Sequence, residues 1–230
     1  MTHSSEPALC AFPLSVSNLC PAVKMHYPTI RMSSLPQVWI SPQEYIELED
    51  QSDCRHEYND GQMFAMSGGT MPHSAIQMNF GREISQRLKS AACRPFNNDL
   101  RILVEASGLM TYPDFSIFCN EPQLKGLPNS FVNPTVLVEV ISPTNELFDR
   151  DDRGRKFDQY RLIPSLEEYV LISQNEYAVD QYIKQPDGGW RYVPLRGELA
   201  VLKIAAAEIE VPLAEIYFGV VLEDGERGQL

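Results

Sequence analysis

Two acidic residues occupy stretches of the sequence that otherwise have the character of buried strands. Asp114 lies in TYPDFSIF, residues 111–118, and Glu139 lies in PTVLVEVIS, residues 134–142. Because neighbouring side chains of a strand point to opposite faces, Glu139 shares its face with Leu137 and Ile141. A buried carboxylate costs free energy unless a cation compensates it, and two adjacent carboxylates can share a hard ion such as Mg²⁺. The pair predicts a metal site, although a Pro-Asp turn or an ion-paired glutamate would explain either residue alone.

A charged segment, TNELFDRDDRGRKFDQYRLIPS, follows the second acid. If its core is one helix, Arg153, Lys156 and Tyr160 lie along one face at positions i, i+3 and i+7. The alternative is a solvated helix held by pairs such as Asp152 with Lys156. The spacing alone leaves both interpretations open.

The elements around these segments predict one α/β domain, a mixed sheet of about six strands flanked by helices. Ser41 and Glu44 form a capping-box pattern that begins a helix through Glu49, and HEYNDGQMFAM predicts a hairpin. A long helix to about Ala91 carries an apolar stripe. Strands are predicted at 100–104, 109–119 and in PTVLVEVIS, a charged helix at about 146–162, and a strand at EYVLIS. AVDQYIKQ and WRYVPL pair across a turn.

Length and composition are those of an ordinary globular chain, with 230 residues and a formal net charge of -12. The prediction is a disordered or mis-annotated extension at 1–31, a single domain at 32–222 and a flexible tail at 223–230. The translation start remains open between Met1, Met25 and Met32. The five cysteines are odd in number and form no C-x-x-C pair, so they suggest neither a disulfide framework nor a zinc site. The predicted compartment is therefore a reducing cytoplasm. No apolar run is long enough to span a membrane.

The order of sequence blocks resembles a known family. YPD, PTVLVEVISP, D-x-x-x-K-x-x-x-Y (Asp152 to Tyr160) and IPSLEEYVLI, preceded by HEYNDGQMFAMSGGTMPHSAIQMN, are similar to restriction-endonuclease-like proteins of the Uma-two type, within the PD-(D/E)XK nuclease superfamily. The similarity runs from about Trp39 to Phe218. It implies a restriction-endonuclease-like core in which Asp114, Glu139 and the backbone carbonyl of Val140 bind Mg²⁺, with Mn²⁺ as a substitute.

The chain departs from the superfamily pattern at the lysine. The pattern places a lysine two residues after the acid, where this chain has Ile141. Lys156, on the next helix, is the candidate for a migrated catalytic lysine. The resemblance also suggests Glu57 as a third metal-binding acid, although a charged residue beside a hairpin turn is the simpler explanation. His73 and Arg153 are candidate contacts to a substrate phosphate.

Two functions follow. The first is a Mg²⁺-dependent endonuclease acting on DNA as a homodimer, in which local cations overcome the net negative charge: Arg82, Arg87, Lys89, Arg153 and Arg155. The second is an inactive nuclease fold that binds DNA or acts as a regulatory or dimerisation module. A phosphohydrolase acting on a small nucleotide is less supported, since no P-loop or G-x-G-x-x-G pattern is present.

Overall fold

The computed structural model describes residues 39–66, 68–89, 92–141 and 151–222, and only the backbone of 151–153. The predicted extension at 1–31 and the predicted tail at 223–230 lie outside these residues. The division of the chain around a single domain at 32–222 therefore stays a prediction.

The first helix and the hairpin form as predicted. Ser41 is the N-cap of helix α1, Pro42–Glu49. Its hydroxyl accepts a hydrogen bond from the Glu44 N–H, and its backbone N–H donates to the Glu44 carboxylate. Strands β1, His56–Asn59, and β2, Gln62–Ala65, pair antiparallel. Gly61 takes a φ of 80° in the turn between them, a conformation that glycine adopts without steric cost.

Helix α2, Met71–Arg87, presents the predicted apolar stripe to the core. Ile76, Phe80 and Ile84 are fully buried, and Leu88, just after the helix, is almost so. Thr70 is the N-cap, and its hydroxyl accepts from the backbone N–H of His73 at 3.3 Å. The helix ends at Arg87, before the predicted end near Ala91, a residue that lies outside the described chain.

Together with β1 and β2, the remaining strands form three sheets. These strands are β3 (Arg94–Asn97), β4 (Arg101–Val104), β5 (Leu109–Thr111), β6 (Phe115–Phe118), β7 (Ser130–Phe131), β8 (Val136–Ile141), β9 (Glu168–Ser173), β10 (Ala178–Lys184), β11 (Trp190–Arg196), β12 (Val201–Ile204) and β13 (Ile209–Pro212). A six-stranded sheet has the order β11-β10-β9-β8-β6-β3 and is mixed, since β8 and β9 run parallel. This confirms the predicted mixed sheet flanked by helices.

A second sheet, of five strands in the order β2-β1-β5-β4-β7, was not predicted. The sequence suggested one strand over 109–119, but the chain leaves the five-stranded sheet after Thr111 and enters the six-stranded sheet at Phe115. Pro113 has no N–H to donate to a strand ladder, so the pairing breaks there. Asp114 consequently lies where the two sheets meet.

The two faces of β8 pack into different parts of the core. Val138 and Val140 belong to the apolar cluster that includes the buried stripe of α2. Leu137 and Ile141 belong to the cluster on the other face, with Tyr160. The predicted alternation along this strand is confirmed, and Ile141 is a core residue only 5% exposed.

The described part of the segment after β8 is helical and ends two residues before the predicted end at about 162. Residues 142–150 lie outside the described chain; a π-helical turn spans Asp151–Lys156 and continues as helix α3, Phe157–Tyr160. Pro164 disfavours helical geometry at the residue before it, consistent with an earlier end than 162. Strands β12 and β13, and helix α4, Leu213–Ile216, were not predicted.

Cys93 and Cys119 form a disulfide, a bond that the number and spacing of the cysteines did not suggest. Strands β3 and β6 pair antiparallel, with Arg94 opposite Phe118, so the two cysteines face each other one position beyond the ladder. The bond joins positions 26 residues apart, a separation that no local spacing rule detects. The cysteine content therefore gives no argument for a reducing compartment.

Among the described residues, none of the helices has the length and apolar character that crossing a membrane requires.

Candidate active site

The two acids singled out in the sequence lie side by side. In the pairing of β6 with β8, Phe115 is opposite Val138, which brings Asp114 next to Glu139. The backbone N–H of Asp114 donates to Glu139 Oε2 at 3.4 Å, and the backbone N–H of Val140 donates to Asp114 Oδ2 at 2.6 Å. Both residues are buried, at 7% and 6% exposed.

Helix α2 holds the other oxygen of Asp114. Gln77 Nε2 donates to Asp114 Oδ1 at 2.6 Å, and His73 Nε2 lies 3.5 Å from the same atom. Both residues reach the site because they are four apart on one face of the helix. A Cβ at Gly69 would lie 2.8 Å from the His73 ring, so glycine there leaves room for the imidazole. Gln77 had not been recognised in the sequence; its i+4 relation to His73 was the available signal.

The helical segment after β8 supplies two donors to Glu139. Lys156 Nζ lies 3.4 Å from Glu139 Oε1, and the hydroxyl of Tyr160 donates to the same oxygen at 2.9 Å. The structure thus brings Lys156 to the acid that the superfamily pattern pairs with a lysine. Arg153 continues the same segment, but its side chain lies outside the described part of the structure.

Glu57 connects the hairpin to this group. Its Oε1 lies 2.9 Å from Lys156 Nζ and accepts a hydrogen bond from Thr111 Oγ1 at 2.5 Å. Thr111, a fully buried residue that the sequence analysis missed, also lies 3.3 Å from the Tyr160 hydroxyl. Lys156 therefore bridges an acid of the five-stranded sheet, Glu57, and an acid of the six-stranded sheet, Glu139.

Tyr160 is a neutral donor in this acidic surrounding. Burial, followed by the charge of Glu139, raises the pKa of the Tyr160 hydroxyl well above its ordinary value, and the Lys156 ammonium opposes the shift. The hydroxyl consequently keeps its proton at neutral pH and continues to donate to Glu139.

The donors of the site suit a hard divalent cation. Asp114 and Glu139 offer carboxylate oxygens, the ligands that Mg²⁺ prefers. Across the described ranges no group of three or more His, Cys, Asp and Glu side chains is arranged to hold an ion. An ion here would thus rest on the two-carboxylate pair with water or main-chain oxygen. The contact seen at Val140 is through its N–H, and its carbonyl as a ligand stays a prediction.

The cations proposed for DNA contact are not all near the carboxylates. Arg82 and Arg87 both pair with Glu83 on their own helix, about 7 and 15 Å beyond Gln77 along the axis. Lys89 and Arg155 are exposed. Contact of any of these residues with phosphate stays a prediction.

Known proteins resemble this chain in sequence and in fold. The model of the family Uma2, described as "Putative restriction endonuclease", matches residues 42–214. The Synechocystis protein called "Uncharacterized protein slr1290" is 36% identical over 157 residues, 68% of this chain and 80% of that protein. A second Synechocystis protein, "Uncharacterized protein sll1609", is 30% identical over 72% of this chain and 93% of its own length. A crystal structure from Anabaena variabilis, described as a putative nuclease belonging to DUF820, shares the fold with a TM-score of 0.60 at 21% identity, covering 76% of this chain and 96% of that one.

Proposed function

The chain belongs to the Uma2 family, and from this premise we propose that it is a metal-dependent endonuclease that hydrolyses phosphodiester bonds of DNA. The observation that carries the proposal is the contact between Asp114 and Glu139. The N–H of Asp114 donates to the Glu139 carboxylate at 3.4 Å, and the N–H of Val140, the residue after Glu139, donates to the Asp114 carboxylate at 2.6 Å. A lysine lies against the same pair. Two acids and a lysine are the groups that this chemistry uses.

In the proposed site Asp114 and Glu139 hold Mg²⁺, for which Mn²⁺ can substitute, with the Val140 carbonyl as a further ligand. The bound ion supplies Lewis-acid polarisation of the phosphodiester and lowers the pKa of a water molecule. Gln77 and the Val140 N–H fix the orientation of Asp114, and Tyr160 fixes that of Glu139. Such hydrogen bonds to ligating side chains commonly tune metal affinity.

Lys156 supplies the positive charge of the proposed mechanism. Its ammonium, 3.4 Å from Glu139, would stabilise the negative charge that develops on the phosphate oxygens. The position of the usual lysine is taken by Ile141, whose side chain packs in the apolar cluster with Leu137 and Tyr160. A lysine presented by the following helix thus fills the role without placing an ammonium in that core.

The substrate class follows from the family rather than from the overall charge. A formal charge of -12 opposes general attraction to DNA, so binding rests on local groups. His73, beside Asp114, and Arg153, on the lysine-bearing segment, are proposed to contact the phosphate. A homodimer would provide the two sites needed to cut both strands, and the proposed compartment is the cytoplasm.

The test joins metal binding to cleavage. Mg²⁺ and Mn²⁺ are titrated calorimetrically into the wild type, Asp114→Asn and Glu139→Gln, and plasmid nicking is measured on the same samples. Glu168→Gln is the matched control, since Glu168 is also a buried acid, and its carboxylate accepts hydrogen bonds from Gln181 and from the Ala206 N–H rather than from residues of the site. The melting temperature of each variant shows whether it is folded.

The proposal expects metal binding and nicking in the wild type and in Glu168→Gln, and the loss of both in the two site variants. Nicking that survives in folded Asp114→Asn contradicts the assignment. Metal binding without nicking of any DNA would favour the second candidate, an inactive nuclease fold that serves as a DNA-binding or regulatory module.

A further inference from the structure

The face of the six-stranded sheet that carries Glu139 also carries a row of aromatic rings. Tyr169, Tyr182 and Tyr192 are directly opposite one another on β9, β10 and β11. Their ring centroids are 6.2 and 5.3 Å apart. Trp190 lies on the same face of β11, two residues before Tyr192. We call Tyr169, Tyr182, Trp190 and Tyr192 the aromatic row.

The inner part of the aromatic row supports the lysine-bearing segment. Phe157, the residue after Lys156, stacks on Tyr182 with centroids 4.4 Å apart and meets the edge of Trp190 at 5.3 Å. Tyr160 packs edge-on against Tyr169 at 5.2 Å. The ring of Phe157 therefore already lies in a second layer, stacked above the row.

The outer part of the row is open to solvent. Tyr192 is 48% exposed, and Trp190 and Tyr182 are partly exposed. The Tyr192 hydroxyl donates to Asp180 Oδ1 at 2.8 Å, which fixes the ring although its surface is accessible. A ring above Tyr192 would lie beside Phe157 in the same second layer.

A cation lies on this face as well. Lys184 pairs in register with Trp190, and its ammonium donates to the carbonyl of Pro164 at 2.9 Å, a neutral acceptor. In the described part of the chain no carboxylate forms an ion pair with Lys184. A fixed aromatic surface with a neighbouring cation is what single-stranded nucleic acid binds, since every base has a π-face and every nucleotide a phosphate.

The distance to the acids fits a bound strand. From Glu139 the register leads through Leu171 and Asp180 to Pro194, two residues from Tyr192. Three strand spacings and two residues along a strand amount to about 16 Å. That is about five steps of a stacked nucleotide chain, and a strand bound at both points passes over the outside of helix α3, since Phe157 and Tyr160 cover the sheet between them.

We propose that the exposed end of the aromatic row, Trp190 and Tyr192, stacks an unpaired base of the DNA strand that runs to the carboxylate pair, with Lys184 contacting its phosphate. The inference rests on the proposed function for its ligand. It adds that unpaired nucleotides beside the cleavage point are bound by the protein, so single-stranded or locally opened DNA binds more tightly than a continuous duplex.

The test measures binding apart from cleavage. Fluorescence anisotropy of a labelled oligothymidylate and of a duplex of equal length is recorded with divalent metal chelated, for wild type, Tyr192→Ala, Tyr192→Leu and Tyr192→Phe. Phe64→Ala is the matched control, because Phe64 is 49% exposed on β2, in the other sheet. Quenching of Trp190 emission in a Trp39→Phe background reports contact at the row itself.

The expected result is tighter binding of the single strand than of the duplex. Tyr192→Ala and Tyr192→Leu should weaken single-strand binding about fivefold or more, the lower end for one stacked base, while Tyr192→Phe and Phe64→Ala stay within about twofold of wild type. Leucine keeps the apolar bulk but removes the π-face, so it also tests the idea if the alanine variant does not fold.

Three results would overturn the inference: equal effects of Tyr192→Leu and Phe64→Ala, absence of Trp190 quenching by bound oligonucleotide, or a Tyr192→Ala effect limited to self-association in sedimentation equilibrium. The last would assign the surface to a second copy of the chain. Failure of the proposed function appears differently, as absence of nicking in wild type, whatever the single-strand affinity. Nicking with no single-strand preference rejects the stacking surface alone.

Discussion

The ammonium of Lys156 lies 3.4 Å from the carboxylate of Glu139, although a helical segment, rather than the strand of Glu139, carries the lysine. The same ammonium is 2.9 Å from Glu57, so it is held between acids of two sheets. Lys156 is thus held by contacts with both sheets, although its own segment belongs to neither. It also means that the charge of the site is set by three elements of the fold: the hairpin, β8 and the helical segment.

Lys156→Gln should separate catalysis from metal binding. Loss of the ammonium removes charge stabilisation, and we expect plasmid nicking to fall about a hundredfold or more. Metal affinity should not weaken, since a cation next to the carboxylates opposes a bound divalent ion. Nicking rates and calorimetric titrations on the same preparation check both. Lys125→Gln, which removes an exposed lysine that pairs with Glu105, is the control and should change neither. A large loss of metal affinity in Lys156→Gln would contradict the assigned role.

Glu57→Gln should act through Lys156. If Glu57 positions the lysine, the nicking rate of the double variant Glu57→Gln/Lys156→Gln should nearly equal that of Lys156→Gln alone, because residues acting as a unit are not additive. The cycle built on Lys125 and Glu105, also 2.9 Å apart, provides the additive comparison. Calorimetry decides the alternative that Glu57 is a metal ligand, which requires weaker metal binding in Glu57→Gln even when Lys156 is already replaced.

Tyr160→Phe should loosen Glu139 without removing any charge. The variant loses the 2.9 Å hydrogen bond to Glu139 Oε1, and comparable changes behind metal ligands cost about tenfold or more in metal affinity. Stability should fall by about 1–3 kcal/mol, as for a hydrogen bond to a charged group. Tyr45→Phe loses a buried hydrogen bond to the carbonyl of His56 outside the site, so it should lower stability while leaving metal affinity unchanged. Equal metal affinity in wild type and Tyr160→Phe would show that Tyr160 is only structural.

Glu168 should give stability an unusual pH dependence. This carboxyl is 1% exposed, and burial raises its pKa above its ordinary value of 4.5 despite hydrogen bonds from Ala206 N and Gln181 Nε2. With a raised folded-state pKa, its contribution to stability is fully present below about pH 4.5 and is lost as the pH rises through the folded value. The free energy of unfolding of wild type relative to Glu168→Gln, measured in urea between pH 4 and 8, should therefore decline with pH.

The sequence by itself determined the local elements and singled out the candidate site residues. The capping box at Ser41, the turn at Gly61 and the apolar stripe of α2 act over a few residues, so they could be recognised from spacing. The two-residue period of β8 likewise fixed the face of Glu139. The order of sequence blocks identified the family, whose model covers residues 42–214.

Only the tertiary structure decided which distant groups meet. Thr111 and Gln77 reach the site through pairing and packing between segments far apart in the chain, as does the Cys93–Cys119 bond, and none of these contacts leaves a local pattern. The tertiary structure also decided the consequence of Pro113. Its missing N–H predicts an interruption of strand pairing, but it does not predict that the chain passes from one sheet to another there. Whether Lys156 faced Glu139 or solvent was equally open, since a charged helix has the same sequence signature in both cases. Its orientation was set by the packing of Phe157 and Tyr160 onto the aromatic row.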